Sequence, residues 1–441
     1  MNNIQFEYDG TCLIKGSAIA AAAKGLAPEI KNLRSLLDKG YDTEYASINL
    51  PQDDALLAGI NKTIKAKRKL KPTLLVVIGI GGSNLGTIAV HEAVQGKAYN
   101  DADPPMRVFF PDTVDSDKVG DFLNIAEDEL KEGNNILVNV VTKSGKTTET
   151  IALFEMFAEL LRKYKGKGYG DYVIATTDKD SVLWGFAEEE GYTLLEIPRK
   201  VGGRYSVFSA VGLFPLGMLG LDIEDLQSGA ASMIKRCTET DIEKNPAALS
   251  AIIQYIHNKK GKNISDLFIF SSDLEAVGKW YRQLMGESIG KEWNRGHTKK
   301  VRTGMTPTVS IGSTDLHSMA QLYLGGPKDK FTTFVRVKRN KHHVNLPFSG
   351  RYDTLVEMIQ GRDLHNLMDA ILDGVEVAFR KAKLPFVEVV LPDKTEHSIG
   401  QLLQFKMFEM IYLAYLLDVN PFDQPDVESY KKETRDILSK G

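Results

Sequence analysis

The sequence predicts an α/β fold in which a doubly wound parallel sheet flanked by helices is followed by a second unit of strands and helices. Segments of strand length alternate with segments of helical apolar spacing, which is the pattern of βαβ units. Ile136 to Val141 is mostly apolar and β-branched, as in strands covered on both faces. Several strands end in loops of glycine and hydroxyl residues that lead into a helix, where α/β sheets bind ligands.

Length and composition are those of an ordinary globular protein with two or three domains. The chain has 441 residues, of which 43% are hydrophobic, enough for large cores. Its 55 basic and 58 acidic side chains give a formal net charge of -3, so no overall positive field favours nucleic acid or an anionic membrane. We therefore expect a small-molecule partner.

Cysteine usage and the N-terminus lead us to expect a cytoplasmic protein without a metal. Cys12 and Cys237 lie far apart, outside any CxxC or zinc-like spacing, so reduced structural thiols are expected. No cluster of His, Asp and Glu has metal-ligand spacing. The chain does not open with a basic segment followed by an apolar core, and no apolar run approaches bilayer length.

The first half of the chain alternates between helix and strand. An alanine run and a Leu/Ile stripe predict a helix over 11–39, which precedes the first strand, Thr73 to Ile78. The glycine loop 79–86 then leads into a helix through Val94. The remaining predictions are strands at 108–110, 136–141 and 172–177, and helices from Thr147 to Leu161, over 182–190 and over 207–219.

The second half repeats this alternation after a helical bridge around Leu226 to Ile234 and over 247–257. A new strand at 267–270 is followed by a helix that carries Trp280 to Lys291. The remaining predictions are strands at 308–311, 331–337 and 386–391, and helices over 354–382, over 399–417 and in a charged tail that ends at Leu438.

The sharpest chemical signal lies where the strand 136–141 ends. Thr142, Ser144 and Thr147 bring hydroxyls to the start of a helix, and Gly145 permits the turn between them. Free N–H groups and the positive end of the helix dipole would hold a dianion here. The alternative is a threonine-rich helix cap without a ligand.

The glycine loop 79–86 resembles a dinucleotide fingerprint, but Asn84 occupies the position of its third glycine. That glycine serves close packing of the helix on the strand, so its loss argues against a nicotinamide site. Two small-residue loops after parallel-type strands instead suggest one phosphate held between Ser83 and the 142–147 loop.

Three further side chains stand in settings where chemistry is possible. Arg204 follows two glycines before an apolar helix and could stabilise negative charge, although most such arginines are surface turn residues. Glu287 lies between two glycines and could face a cleft, or it could be a solvated carboxylate at a helix end. His317 is near a helix start, and most single histidines are not catalytic.

These residues fall into five ordered motifs, and over nearly its full length the chain resembles the glucose-6-phosphate isomerases of the bacterial type. The motifs are Gly-Ile-Gly-Gly-Ser at 79–83, Lys-Ser-Gly at 143–145, Val-Gly-Gly-Arg-Tyr-Ser at 201–206, Gly-Glu-Ser-Ile-Gly-Lys at 286–291, and Phe-Asp-Gln at 422–424 with Val-Glu at 427–428 and Lys431. The resemblance implies two sugar-isomerase (SIS) domains, each a doubly wound parallel sheet flanked by helices. It divides the chain into residues 1–220, residues 221–400 and C-terminal helices over 401–441 that return to the first domain.

The resemblance also implies a metal-free and cofactor-free conversion of an aldose phosphate to a ketose phosphate through a cis-enediol. Glu287 would be the base, Arg204 would stabilise the enediolate, and His317 with Lys431 would open the sugar ring. The family is usually a homodimer in which the histidine comes from the neighbouring subunit. The implied substrate and phosphate contacts are Gly82, Ser83, Thr142, Lys143, Ser144, Thr147 and Gln424.

Three departures and two alternatives qualify this expectation. Thr142 replaces the usual serine, Lys146 stands where threonine is common, and Asp426 replaces a glycine.

A phosphosugar-binding regulator would need the phosphate loops alone, so retention of Glu287, His317 and Lys431 favours an enzyme. An isomerase that also accepts mannose 6-phosphate remains open, because epimer choice depends on small contacts at C2.

Overall fold

The computed structural model describes residues 3–440, which form two five-stranded sheets, a two-stranded hairpin and surrounding helices. The helices are α1 Gly16–Leu36, α2 Asp54–Arg68, α3 Leu85–Gln95, α4 Ser116–Lys131, α5 Thr148–Lys165, α6 Val182–Glu189, α7 Ala210–Met218, α8 Ile223–Cys237, α9 Pro246–Lys259, α10 Glu275–Ile289, α11 Ala320–Gly325, α12 Leu364–Ala382, α13 Glu396–Leu416 and α14 Glu428–Leu438. The strands are β1 Gln5–Glu7, β2 Pro72–Ile78, β3 Arg107–Phe109, β4 Asn135–Val141, β5 Val173–Thr177, β6 Thr193–Glu196, β7 Ile264–Ile269, β8 Lys291–Trp293, β9 Lys300–Thr303, β10 Thr306–Ile311, β11 Lys330–Val337 and β12 Phe386–Leu391.

The first sheet is parallel throughout, in the order β3-β2-β4-β5-β6. The second has the order β1-β12-β11-β7-β10, and only its edge strand β1 runs antiparallel. Strands β8 and β9 form the antiparallel hairpin. Ile78 lies opposite Val140 in the register of β2 and β4, so the loops that follow these two strands meet at one edge of the first sheet.

Helices cover both faces of the first sheet, as the apolar strands require. Alternate residues of each strand point to opposite faces. Leu74 and Val76 of β2 pack with α4, α5 and α6, whereas Leu75 and Val77 belong to a larger core. That larger core also contains Leu267 of the second sheet and the apolar residues of α13, so the two sheets share one continuous interior.

Helix α13 is buried on nearly every side, which explains why its sequence is apolar without a polar stripe. Its two charged central residues form an ion pair: Lys406 donates to both carboxylate oxygens of Glu409, at 3.0 and 3.1 Å. Ser250 also donates to Glu409, and so does Tyr281 of α10 at 3.0 Å. The pair therefore ties α13 to α9 and α10.

The predicted strands are confirmed to within a few residues, and the errors are at helix ends. The helix predicted over 354–382 begins only at Leu364, after turns and a short 3₁₀ segment, because Asp363 caps it through the His365 amide. The helix predicted to carry Lys291 ends at Ile289, and Lys291 starts β8. Helix α1 is shorter than 11–39. Elements without a prediction are α2, α4, β1, β6, β8 and β9.

Two properties expected from the composition can be compared with the structure of residues 3–440. Cys12 and Cys237 are free thiols and are buried. No helix in this range combines the length and the apolar character needed to cross a bilayer.

Substituting Glu409 by Gln should strongly destabilise the protein, because it leaves the Lys406 ammonium group buried without its counter-charge while Ser250 and Tyr281 keep an acceptor. Losing one partner of a buried pair costs about 3–5 kcal/mol. A urea titration should show a clearly lower midpoint. The matched control is Asp128→Asn, which breaks an exposed pair with Lys131 and should leave the midpoint nearly unchanged. Equal midpoints for the two variants would contradict this view of the core.

Candidate functional site

The loops after β2 and β4 lie side by side at one edge of the first sheet. A Cβ atom on Gly79 would lie 2.9 Å from Cβ of Ser83 and 3.2 Å from the carbonyl oxygen of Val141, so Ser83 sits directly beside the end of β4. Asn84 is buried, and its side-chain amide donates to the Gly79 carbonyl at 2.7 Å. Asn84 thus holds the turn together at the position of the missing third glycine.

The 142–147 loop presents hydroxyls and amides at the start of α5. The hydroxyls of Thr142 and Thr147 form a hydrogen bond of 3.0 Å with each other. The Ser144 hydroxyl accepts a hydrogen bond from the Lys146 backbone amide at 3.2 Å. Thr147 is the N-cap residue of α5, but its side chain makes no capping hydrogen bond. A helix start without a side-chain cap leaves N–H groups for an anion.

Gly145 is required in this loop for two reasons. Its φ of +67° is unfavourable for other residues, and a Cβ atom there would lie 2.7 Å from the backbone nitrogen of Leu183. The adjacent Lys143 side chain is half-buried, and burial lowers the pKa of its ammonium group, with Asp178 acting in the opposite direction. The loop is therefore tightly held beside α6.

The glycine loop touches the segment that carries Arg204. A Cβ atom on Gly82 would lie 2.2 Å from the carbonyl carbon of Gly203, so only glycine fits. Ser206 donates to the Gly82 carbonyl at 3.3 Å and fixes the contact from the other side. Backbone-to-backbone packing thus places the glycine loop next to Arg204.

Arg204 is only 2% exposed, and each of its three side-chain nitrogens donates to the protein. Nε donates to the Ser288 hydroxyl at 2.9 Å. Nη1 donates to Glu287 at 3.0 Å and to Gln424 at 2.8 Å. Nη2 donates to the carbonyl oxygens of Pro421 and, at 3.2 Å, Asp423. The surface-turn alternative for Arg204 is wrong.

Glu287 projects from the last turn of α10 and is about one-third exposed, which leaves it accessible to a ligand. One carboxylate oxygen accepts from Arg204 and the other from the side-chain amide of Gln283 at 3.0 Å. Gln283 was missed from the sequence, although its i, i+4 spacing to Glu287 was a usable signal. Gln283 also reaches the glycine loop, because its Nε2 atom lies 2.9 Å from the Cβ position of Gly81.

The tail segment around Gln424 joins the site from the C-terminal side. The Phe422 ring packs against Tyr45 and Tyr205, with centroid separations of 4.8 and 5.6 Å. Asp426 lies in the 3₁₀ turn Pro425–Val427. Because this conformation has a negative φ, the turn does not require a glycine at position 426.

Among the described residues, the His317 and Lys431 side chains form no hydrogen bond or ion pair with Arg204, Glu287 or Gln424. His317 is exposed on the turn after β10, and Lys431 forms a 2.8 Å ion pair with Glu428 on the exposed helix α14. Pro307, near the start of β10, lies 3.9 Å from the Cβ position of Gly286, beside Glu287. At about 3.3 Å per residue, the strand from Pro307 to Ile311 spans about 13 Å. The turn that carries His317 therefore begins about 13 Å from Pro307.

The described residues 3–440 contain no group of three or more His, Cys, Asp and Glu side chains placed to hold a metal ion. What the cluster offers instead is a carboxylate between an arginine and an amide, next to two loops suited to a phosphate group. Such a set can bind an anionic sugar and move a proton.

Comparison with known proteins assigns the chain to a family. The model of the phosphoglucose isomerase family matches residues 60–440. The chain belongs to the phosphoglucose isomerase family. A curated glucose-6-phosphate isomerase of Carboxydothermus hydrogenoformans is 35% identical over 414 residues, covering 93% of this chain and 87% of that protein. The corresponding protein of Shouchella clausii is 33% identical over 449 residues and covers 100% and 96% of the two chains.

Solved structures agree with the phosphoglucose isomerase fold. The hypothetical protein TT0462 from Thermus thermophilus superposes with a TM-score of 0.86 at 28% identity, over 99% of both chains. A glucose-6-phosphate isomerase from Chlamydia trachomatis has a TM-score of 0.83 at 21% identity, over 100% of this chain and 89% of that one, and this likeness shows the fold alone.

Gly82→Ala should impair the isomerase without unfolding it. The new methyl group would push the glycine loop away from Gly203 and displace the neighbouring Arg204. A misplacement of about 1 Å can cost about 10²-fold in catalysis, so kcat/KM should fall by about that factor. The control is Gly120→Ala on α4, where no atom lies within 4 Å of the Cβ position. Full activity in Gly82→Ala would contradict the close loop contact.

Proposed function

We propose that the chain interconverts glucose 6-phosphate and fructose 6-phosphate, and that the loops after β2 and β4 and the cluster around Arg204 form its active site. The activity follows from membership of the phosphoglucose isomerase family. The observation that carries the site assignment is the Glu287 carboxylate, held by Arg204 and by Gln283, whose side-chain amide reaches the glycine loop after β2.

The sugar phosphate is proposed to dock on the start of α5 and the glycine loop. The hydroxyls of Ser83, Ser144 and Thr147 supply short polar contacts, and the α5 amides supply directed donors. Thr142 supports Thr147 through their shared hydrogen bond. Lys143 and the backbone of Gly82 complete the set, which holds the dianion and leaves the sugar end towards Glu287.

Glu287 is proposed to take the proton from C2 of the open-chain aldose and deliver it to C1, while a proton moves between the two oxygens of the cis-enediol. A carboxylate performs this transfer without a metal. Arg204 places positive charge where the enediolate develops. Gln424 lies on the same Arg204 nitrogen and is proposed to contact sugar hydroxyls.

Ring opening is assigned to His317 and Lys431, with His317 supplied by the partner subunit of a homodimer. Within one chain, β10 leads away from Glu287 before the chain reaches His317. We therefore propose that His317 acts in the site of the partner subunit and not in the site of its own chain. We also propose a cytoplasmic location, as is expected for an enzyme of glycolysis and gluconeogenesis.

An uncovered apolar surface supports the dimer proposal. Eleven of the twenty large apolar side chains that are exposed among the described residues fall within 322–377, a stretch that begins five residues after His317. Leu324 and Ile371 line one apolar cleft here, and all eleven side chains offer apolar area that a partner could cover. These residues are Leu322, Leu324, Val344, Phe348, Tyr352, Leu355, Val356, Met358, Leu364, Ile371 and Val377.

Glu287→Gln should abolish isomerisation while leaving phosphate binding in place. Glutamine keeps the hydrogen-bonding shape but cannot accept the C2 proton, and loss of a general base costs about 10²–10⁴-fold. The measurements are solvent exchange of the C2 proton and competition by inorganic phosphate. Substantial C2 exchange in the variant would show that another residue is the base. Phosphate binding without any turnover in the unmodified protein would favour a phosphosugar-binding regulator.

Two mixed dimers test the shared site with one set of substitutions. A dimer of His317→Ala and Glu287→Gln subunits should recover one intact site and about half of the unmodified activity. The matched control pairs an unmodified subunit with one that carries both substitutions, and it should be inactive because each site then lacks one residue. Sites confined to single subunits would give the opposite pattern.

Metal-independent turnover is also predicted. Glucose 6-phosphate conversion should proceed at the same rate with and without EDTA, since the proposed proton transfer uses a carboxylate alone. Loss of activity in EDTA that zinc or manganese restores would refute this.

A further inference from the structure

We propose that Lys291 is a positioning residue for this active site: by holding both the backbone and the side chain of Asp423, it fixes the tail segment that presents Gln424 to Arg204. This inference rests on the proposed function. Lys291 closes the fourth motif of the sequence, but neither the family roles nor the proton-transfer scheme uses it.

The Lys291 ammonium group makes two contacts with one residue. It donates to the backbone carbonyl of Asp423, and it donates to the Asp423 carboxylate at 2.8 Å. The Lys291 side chain is only 6% exposed, so these bonds are formed away from bulk water. Partly desolvated, charge-assisted hydrogen bonds are the strong class of hydrogen bond.

The Asp423 carbonyl is a shared acceptor. Nη2 of Arg204 also donates to it, at 3.2 Å, so two cations converge on one backbone oxygen. Two like charges so close would repel without a nearby anion. The Glu287 carboxylate supplies an anion for Arg204 and the Asp423 carboxylate supplies one for Lys291. His297 approaches the other oxygen of Asp423 at 3.6 Å.

These contacts fix the position of the next residue, Gln424. Gln424 accepts from Nη1 of Arg204, and Pro421 accepts from Nη2, so the segment 421–424 wraps around the guanidinium group. Lys291 comes from a different part of the chain, the start of β8, directly after the helix that carries Glu287. It therefore adds a second tie between the tail and the segment that carries Glu287, beside the one made by Arg204.

Charge, and not length alone, is needed at this position. Burial lowers the pKa of the Lys291 ammonium group, whereas the ion pair with Asp423 acts in the opposite direction. A neutral side chain of the same length would keep the packing but leave the Asp423 carboxylate without its main partner. The tail should then loosen while β8 and β9 stay paired.

The test is Lys291→Met, compared with Lys291→Arg. We expect kcat/KM to fall by about 10- to 10²-fold in Lys291→Met, mostly in kcat, because a displaced Gln424 and Arg204 cost transition-state contacts. Inhibition by inorganic phosphate should stay within about twofold, since the phosphate loops are untouched. Lys291→Arg should regain part of the loss. The matched control is Lys300→Met, which removes an exposed lysine paired with Glu292 at 2.9 Å and should leave kcat/KM unchanged.

A second readout does not depend on turnover. Amide hydrogen exchange across 420–428 should be faster in Lys291→Met than in the unmodified protein, whereas exchange in β8 and β9 should not change. Because this measurement needs no substrate, it decides the positioning role even if the proposed isomerisation fails.

Three results would overturn the proposal. One is unmodified kcat/KM or unmodified exchange across 420–428 in Lys291→Met. Another is a general loss, in which phosphate inhibition, the urea midpoint and exchange throughout the hairpin change together, since that marks a purely structural role. The last is strict additivity with Gln424→Ala, because residues that act through one another give non-additive double mutants.

Discussion

The buried guanidinium group of Arg204 is the interaction on which the rest of the site depends. A charge taken out of water is stable only when its hydrogen-bonding capacity is filled with good geometry. Arg204 meets this condition with acceptors from two distant segments, one at the end of α10 and one in the tail 421–424. The planar fork of an arginine suits this task, whereas the single ammonium group of a lysine does not. Filling the bonds of Arg204 therefore also assembles Glu287 and Gln424.

The fold delivers Arg204 to this place through close packing. One core runs between the two sheets and through α13, and it fixes the first sheet relative to α10. The contact between Gly82 and Gly203 then sets how near the phosphate loops approach the guanidinium group. The site is thus an arrangement of packed elements between the two sheets, in which the Glu287 carboxylate stays about one-third exposed.

Local patterns predicted most of the fold and one half of the site. Apolar β-branched runs such as Ile136 to Val141 are strands because burial on both faces demands that composition. Glycine and hydroxyl residues after them predict loops of the kind that can hold a phosphate group. The short strand β1 was not predictable, because its pairing with β12 joins residues nearly four hundred positions apart. The helix starts at 364 and 275 depend on caps and turns that periodicity does not register.

The other half of the site required three-dimensional contacts. Nothing local in the sequence indicates that Arg204 meets Gln424, or that Lys291 meets Asp423, because the partners are more than a hundred residues apart. The separation of His317 from Glu287 is likewise a property of strand direction, since β10 carries the chain from the amino ends to the carboxyl ends of the parallel strands. The motif resemblance assigns all of these residues to one active site, whereas the structure shows which of them are in contact within one chain.

The most direct test of the account is a crystal structure of the protein with an open-chain aldonate phosphate that mimics the enediolate and cannot isomerise. We predict its phosphate on the loops that contain Ser83 and Ser144, its carboxylate facing Arg204, and the Glu287 carboxylate about 3 Å from the atoms that replace C1 and C2. An analogue bound away from these loops, or one whose C1 and C2 equivalents face a residue other than Glu287, would contradict it.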